Sequence, residues 1–195
     1  GEAALLLEGV LAAVALREAW WSLATVRLAL GDARAAAAAL SEALRRFRLP
    51  DPVPPVAAAI ARAAGFAGWC GLGPRGPVGV VPAGVAARRL RDAGGVAFVS
   101  DGQHLLGSPL DPAVLGRVEG AVRAEGAALV GWAWHPADPD RDPVLTLRGG
   151  AGERRLVARD RSIPTPRPLV LARGFRVPLG ARDADPFEQY EQHRE

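Results

Sequence analysis

Lysine, asparagine and methionine are absent from this 195-residue chain, and cysteine occurs once, as Cys70. All 24 cationic side chains are therefore arginine, which holds its charge to high pH. The net charge is only +3. A lone thiol forms no internal disulfide, which excludes a disulfide-stapled secreted scaffold and fits a reducing, cytoplasmic setting. Aromatic residues make up 6% of the chain. Arginines are dispersed among acids, with +1 over residues 1–72, +5 over 73–183 and −3 over 184–195. A nucleic-acid binder carries a denser basic patch interleaved with aromatics, so no nucleic-acid partner is expected. No apolar run reaches the roughly 18 residues of a membrane span. The strongest candidate, residues 3–16, is interrupted by Glu8 and closed by Arg17 and Glu18, and reads as a core helix. A chain that begins at Gly1 without methionine reads as a piece of a longer protein, and no leader can be read from it.

What is present is enough to build cores. Hydrophobic residues make up 49%, which suits one or two globular domains and excludes a disordered chain. The 23 glycines and 17 prolines follow no three-residue period, which excludes collagen. The first 72 residues are rich in alanine and leucine, both strong helix formers. Helices are predicted over 2–17, 20–30, 33–47 and 56–67. Gly31-Asp32 marks a helix stop followed by a cap, and Pro55 suits a first helical turn. Leu40, Ala43, Leu44 and Phe47 recur at helical spacing and share one face.

From Gly73 the texture changes to short apolar runs between glycine and proline clusters. Strands are predicted over 78–81, 96–100, 118–123, 129–134, 143–147, 154–158 and 174–178. A short helix is predicted over 83–92 and a helical turn over 112–117. The expected class is α+β, with an N-terminal helical segment (1–72), a small antiparallel β-sandwich-like module (73–183) and an acidic linker or tail (184–195). Phe66-Ala67-Gly68-Trp69 and Leu129-Val130-Gly131-Trp132 echo one another, as do Pro77-Val78 and Pro143-Val144. The echo suggests two related β-units.

Two resemblances follow from these residues. Trp20, Leu23, Ala24, Gly31, Asp32, Ala36, Ala43 and Leu44, with Pro50 beyond, resemble one tetratricopeptide repeat over residues 19–50. The match departs from the family at Arg27, where an aromatic is usual, and Pro50 comes about two residues late. A single repeat cannot bury its own face, so residues 1–18 and 54–67 are expected to flank it. The resemblance places Trp20 in the repeat core; Trp21 is expected either to form a contact surface or to pack on an adjacent helix, and Trp21 and Arg27 are the candidates for a protein partner or a neighbouring domain. Separately, Gly131-Trp132-Ala133-Trp134, Pro136-Ala137-Asp138, Pro143-Val144, Ala158-Arg159-Asp160 and Gly174-Phe175-Arg176-Val177-Pro178 form a series over about 118–179. It resembles a small β-module of bacterial surface-polysaccharide proteins, often found beside a glycosyltransferase domain. That likeness implies an accessory region without its own catalysis, and a transferase domain beyond the acidic, aromatic stretch 183–195.

The residues that bear on chemistry lie mostly in that module. Trp132 and Trp134 point to one side of a strand, where exposed indoles would stack on the apolar faces of sugars and buried ones would be core. His135 follows them. Asp138, Asp140 and Asp142 begin like a calcium loop, but Pro143 stands where glycine is needed and Gly149 where glutamate is needed. Asp138-Pro139-Asp140 also has the D-x-D form by which some glycosyltransferases hold a metal and a nucleotide-sugar diphosphate, so a divalent metal on Asp138 and Asp140, with His135, would make the chain a metal-assisted transferase; a solvated turn is the plainer reading. No other cofactor is indicated. Gly71-Leu72-Gly73-Pro74-Arg75-Gly76 matches a dinucleotide fingerprint without the required strand before it and helix after it. Cys70 with His104, or Ser108 with His104 and Asp101, can be drawn as a nucleophile and base, but no nucleophile elbow surrounds either. The expected function is a non-catalytic accessory region positioning a partner domain or glycan. The alternatives are a protein scaffold without carbohydrate and the metal-assisted transferase.

Overall fold

A computed structural model describes residues 1–14, 16–81, 87–92, 95–149, 152–163 and 171–179. It is mixed helix and strand, with helices first and small antiparallel sheets after them. Two compact units divide between Gly116 and Arg117.

The first unit opens with four helices: α1 (Glu2–Ala13), α2 (Arg17–Ala29), α3 (Ala33–Arg46) and α4 (Val56–Ala63). The chain is extended at Val14 and Leu16, so the first predicted helix ends earlier and the second begins earlier than expected. Asp32 caps α3, its Oδ1 accepting from the Ala35 backbone N–H at 2.9 Å, after Gly31 in left-handed conformation. Leu40, Ala43, Leu44 and Phe47 are all buried, as their spacing predicts. Ala24, Ala36 and Ala43 let helix backbones approach closely within the core that these leucines fill.

Strands follow: β1 (Trp69–Gly73), β2 (Gly76–Val80), β3 (Arg88–Asp92), β4 (Gly95–Ser100) and β5 (Gln103–His104), then the short helix α5 (Pro112–Gly116). β1 and β2 form a hairpin; β3, β4 and β5 form a three-stranded sheet in that order. The change of texture at residue 73 is therefore not where the compact units part. Leu49 N–H bonds to Leu72 O, Cys70 N–H bonds to Leu106 O, and Arg45 reaches Gly107 O and Ser108 O. Trp69 and Leu106 complete the helical core. The predicted helix over 83–92 is corrected for its last five residues, which are strand β3; residues 83–86 lie outside the described residues. Pairing of Arg88–Asp92 with β4 overrides the helical preference of arginine and leucine.

The second unit holds β6 (Glu119–Glu125), β7 (Ala128–Trp134), β8 (Val144–Gly149), β9 (Gly152–Val157) and β10 (Arg173–Pro178). β7 lies between β10 and β6, and β8 pairs with β9 in a separate hairpin. The echo between 66–69 and 129–132 does not extend to topology. Trp69 opens a strand paired with the Pro77-Val78 strand, whereas β7 pairs with β6 and β10 and not with β8. Residues 184–195 lie outside the described residues. No helix among the described residues is long and apolar enough to cross a membrane.

Candidate functional site

β7 sets the geometry of the site. Leu129 and Ala133 point one way and are buried, with Val177 of β10 in the same core. Trp132 and Trp134 point the other way, and both are half-buried. Their neighbours follow from register. Trp132 stands opposite Ala121 on β6 and Gly174 on β10, and Trp134 stands opposite Glu119. The Trp134 indole N–H donates to Glu119 Oε2 at 3.3 Å, and Glu119 also pairs with Arg117 at 2.9 Å. A Cβ on Gly174 would lie 2.6 Å from Ile163 Cγ2 and 3.1 Å from Asp160 Cβ, so these two side chains fill the place beside Trp132. On the other flank β6 is exposed from Gly120 to Glu125. The result is a half-open aromatic face, bordered by small or charged groups and by Ile163.

Beyond Trp134 the chain makes two successive turns, closed by Asp138 N–H to His135 O and by Arg141 N–H to Asp138 O. The turns enclose the Arg173 guanidinium. Arg173, 3% exposed, donates from Nε to Asp142 Oδ1 at 2.9 Å and also to Pro139 O and Leu171 O. Arg161 stands 3.7 Å from the same Asp142 oxygen. A buried guanidinium needs this set of acceptors, because desolvation without them is costly. His135, Asp138 and Asp140 also have interaction partners. Among the described residues no three His, Cys, Asp or Glu side chains converge as a metal site, so Asp138, Asp140 and Asp142 are not assembled with or without His135. Asp160 folds into a local turn, accepting from Ser162 Oγ–H at 2.6 Å and from Ser162 N–H at 2.8 Å, which holds its carboxyl below the usual aspartate range. Arg173 is the site residue that the sequence does not announce, since nothing local distinguishes it from the other arginines.

The remaining candidates are placed as follows. Trp21 is 9% exposed and belongs to the helical core, so it leaves the contact surface. Trp20 is partly buried against that core, with the Arg46 guanidinium 5.8 Å from its ring centre. Arg27 is held by an ion pair to Glu8 of α1 and is an internal tie rather than a free contact. His104 Nδ1 lies 3.1 Å from Ser108 Oγ, but that hydroxyl is buried and accepts from the Phe98 backbone N–H at 3.0 Å. It anchors the loop to β4. Cys70 is fully buried, and its thiol is pushed up to about 12 by desolvation, against a smaller opposing pull from Arg45. The glycine-rich motif at 71–76 spans the β1–β2 hairpin, with Gly73 paired to Gly76, and strand rather than helix follows it.

Comparison with known families, characterised proteins and solved structures finds no match to this chain.

Proposed function

We propose that this chain is a non-catalytic, cytoplasmic accessory region of a larger bacterial protein of glycosyltransferase type. Its tetratricopeptide-like helices dock a partner or a neighbouring domain, and its aromatic face contacts glycan. The single observation that carries the reading is the pair of half-open indoles, Trp132 and Trp134, side by side on β7. Indole faces pack against the apolar C–H faces of pyranose rings, and the Trp134 N–H is oriented by Glu119. The likeness of the second unit to polysaccharide-associated modules supports the same assignment. The metal-assisted transferase would use Asp138 and Asp140 with His135, and among the described residues no three such side chains converge as a metal site.

The test is calorimetric titration of the chain with a panel of bacterial surface oligosaccharides. Binding is expected, and Trp132→Ala and Trp134→Ala should each weaken it by at least about tenfold, as loss of a central aromatic anchor does. No binding across the panel, or binding indifferent to both substitutions, overturns the reading. A scaffold without carbohydrate is the second reading. It is favoured by the exposed apolar side chains of α1.

A further inference from the structure

A helix that is apolar on all sides is normally a buried helix. α1 is apolar on nearly all sides, yet only one side is covered. Ala4, Leu7 and Leu11 pack against the helical core, and Glu8 turns to Arg27. The opposite side shows Leu5 at 69% and Leu6 at 67% exposure, with Val10 at 44%. Leu30 at 54% adjoins it, its Cδ2 lying 3.9 Å from where a Gly1 Cβ would stand. Gly9, Ala12 and Ala13 are exposed among them.

We infer that this face is the seat of a second copy of the same chain, paired two-fold with α1 antiparallel to α1. Three observations lead there. The first is shape. On the exposed side Leu5 and Leu6 lie before Gly9, and Ala12 and Ala13 lie after it, with Val10 beside Gly9. In an antiparallel pair centred on Gly9, Leu5 meets the partner's Ala13 and Leu6 meets the partner's Ala12. Both leucines meet small residues, and the symmetry makes both ends alike. The second is Gly9 itself. A glycine inside a helix costs stability relative to alanine, and a Cβ there would meet nothing within 4 Å among the described residues. Packing among the described residues gives it no reason; a second helix backbone crossing at that point does. The third is area. These residues present on the order of 500 Å² of apolar surface per copy, or about 1,000 Å² for the pair, which reaches the lower bound of specific interfaces. An interface of that size falls in the class of weak, transient encounters.

Sedimentation of the chain between roughly 5 and 200 μM should show a reversible monomer–dimer equilibrium. Leu6→Glu should raise the dissociation constant by at least about 100-fold, because it puts a charge against the partner's alanine. Its helical circular dichroism should be unchanged, since Leu6 is already exposed in the single chain. Gly9→Cys should form a disulfide-linked dimer under mild oxidation, while Ala59→Cys on the exposed side of α4 should not. The buried Cys70 does not compete. A chain that stays monomeric throughout, a dimer indifferent to Leu6→Glu, or no cross-link through position 9 overturns the inference. In the first case the face belongs to a different partner.

Discussion

At the scale of single residues, polar groups are spent on holding the chain together. Arg27 ties α1 to α2 through Glu8, Arg45 caps the carbonyls of Gly107 and Ser108, and Arg173 organises the aspartate turn. Cys70 is the converse case, a thiol whose burial removes its chemistry. Its pKa of about 12 lies above the ordinary 9.0, so the folded state keeps the proton that the unfolded state releases. The sign follows from that. The protonated thiol costs folding nothing below about pH 9. As pH rises from there toward 12, the unfolded state gains by ionising and stability falls, by up to about 1.4 kcal/mol per pH unit. Urea unfolding at pH 8, 9 and 10 should therefore show a steeper loss in the parent chain than in Cys70→Ala. Equal slopes would mean that the thiol ionises as readily in the folded protein as outside it.

Among the elements, those with strong local signals form as their sequence predicts. α3 has a capping aspartate, an unbroken helical period and arginines near its C-terminus, where the helix dipole favours them. Asp32→Ala removes the cap bond to Ala35 N–H and should cost about 1 kcal/mol, read as a lower urea midpoint with unchanged slope. A change near zero would place the stability of α3 wholly in its packing. β3 is the contrary example. Arg88, Arg89, Leu90 and Arg91 carry no alternation that favours a strand, and only pairing with Val96–Val99 makes them one. β1 was hidden for a related reason: Trp69-Cys70-Gly71-Leu72-Gly73 has glycines where strand formers belong. At Gly71 the leucine at position 49 lies 2.7 Å from where a Cβ would stand, so a larger residue would not fit.

For the whole molecule, the boundary of the first unit matters most. Residues 73–116 belong with the helices because Leu106, Gly107 and Ser108 return to Trp69, Cys70 and Arg45. A chain of residues 1–116 should unfold in one cooperative transition. A chain of residues 1–72 should lose that transition, since it uncovers the side of the core that Leu106 closes. A cooperative 1–72 fragment of equal stability would show the strands to be an appendage. The sequence by itself determined the order of helices before strands, the α3 cap and buried face, the neighbouring placement of Trp132 and Trp134, and the want of a disulfide framework. These rest on propensity, period and composition, which are local. Tertiary structure alone decided which strands pair, that Trp21 is buried while Trp20 is partly so, that Arg173 is enclosed by the aspartate turn, and that the described residues leave one apolar face of α1 uncovered. Each of those depends on partners distant in sequence. One residue along a helix turns a side chain by about 100°, and one step of strand register moves it to the opposite face, so only the packed neighbours fix which side is covered.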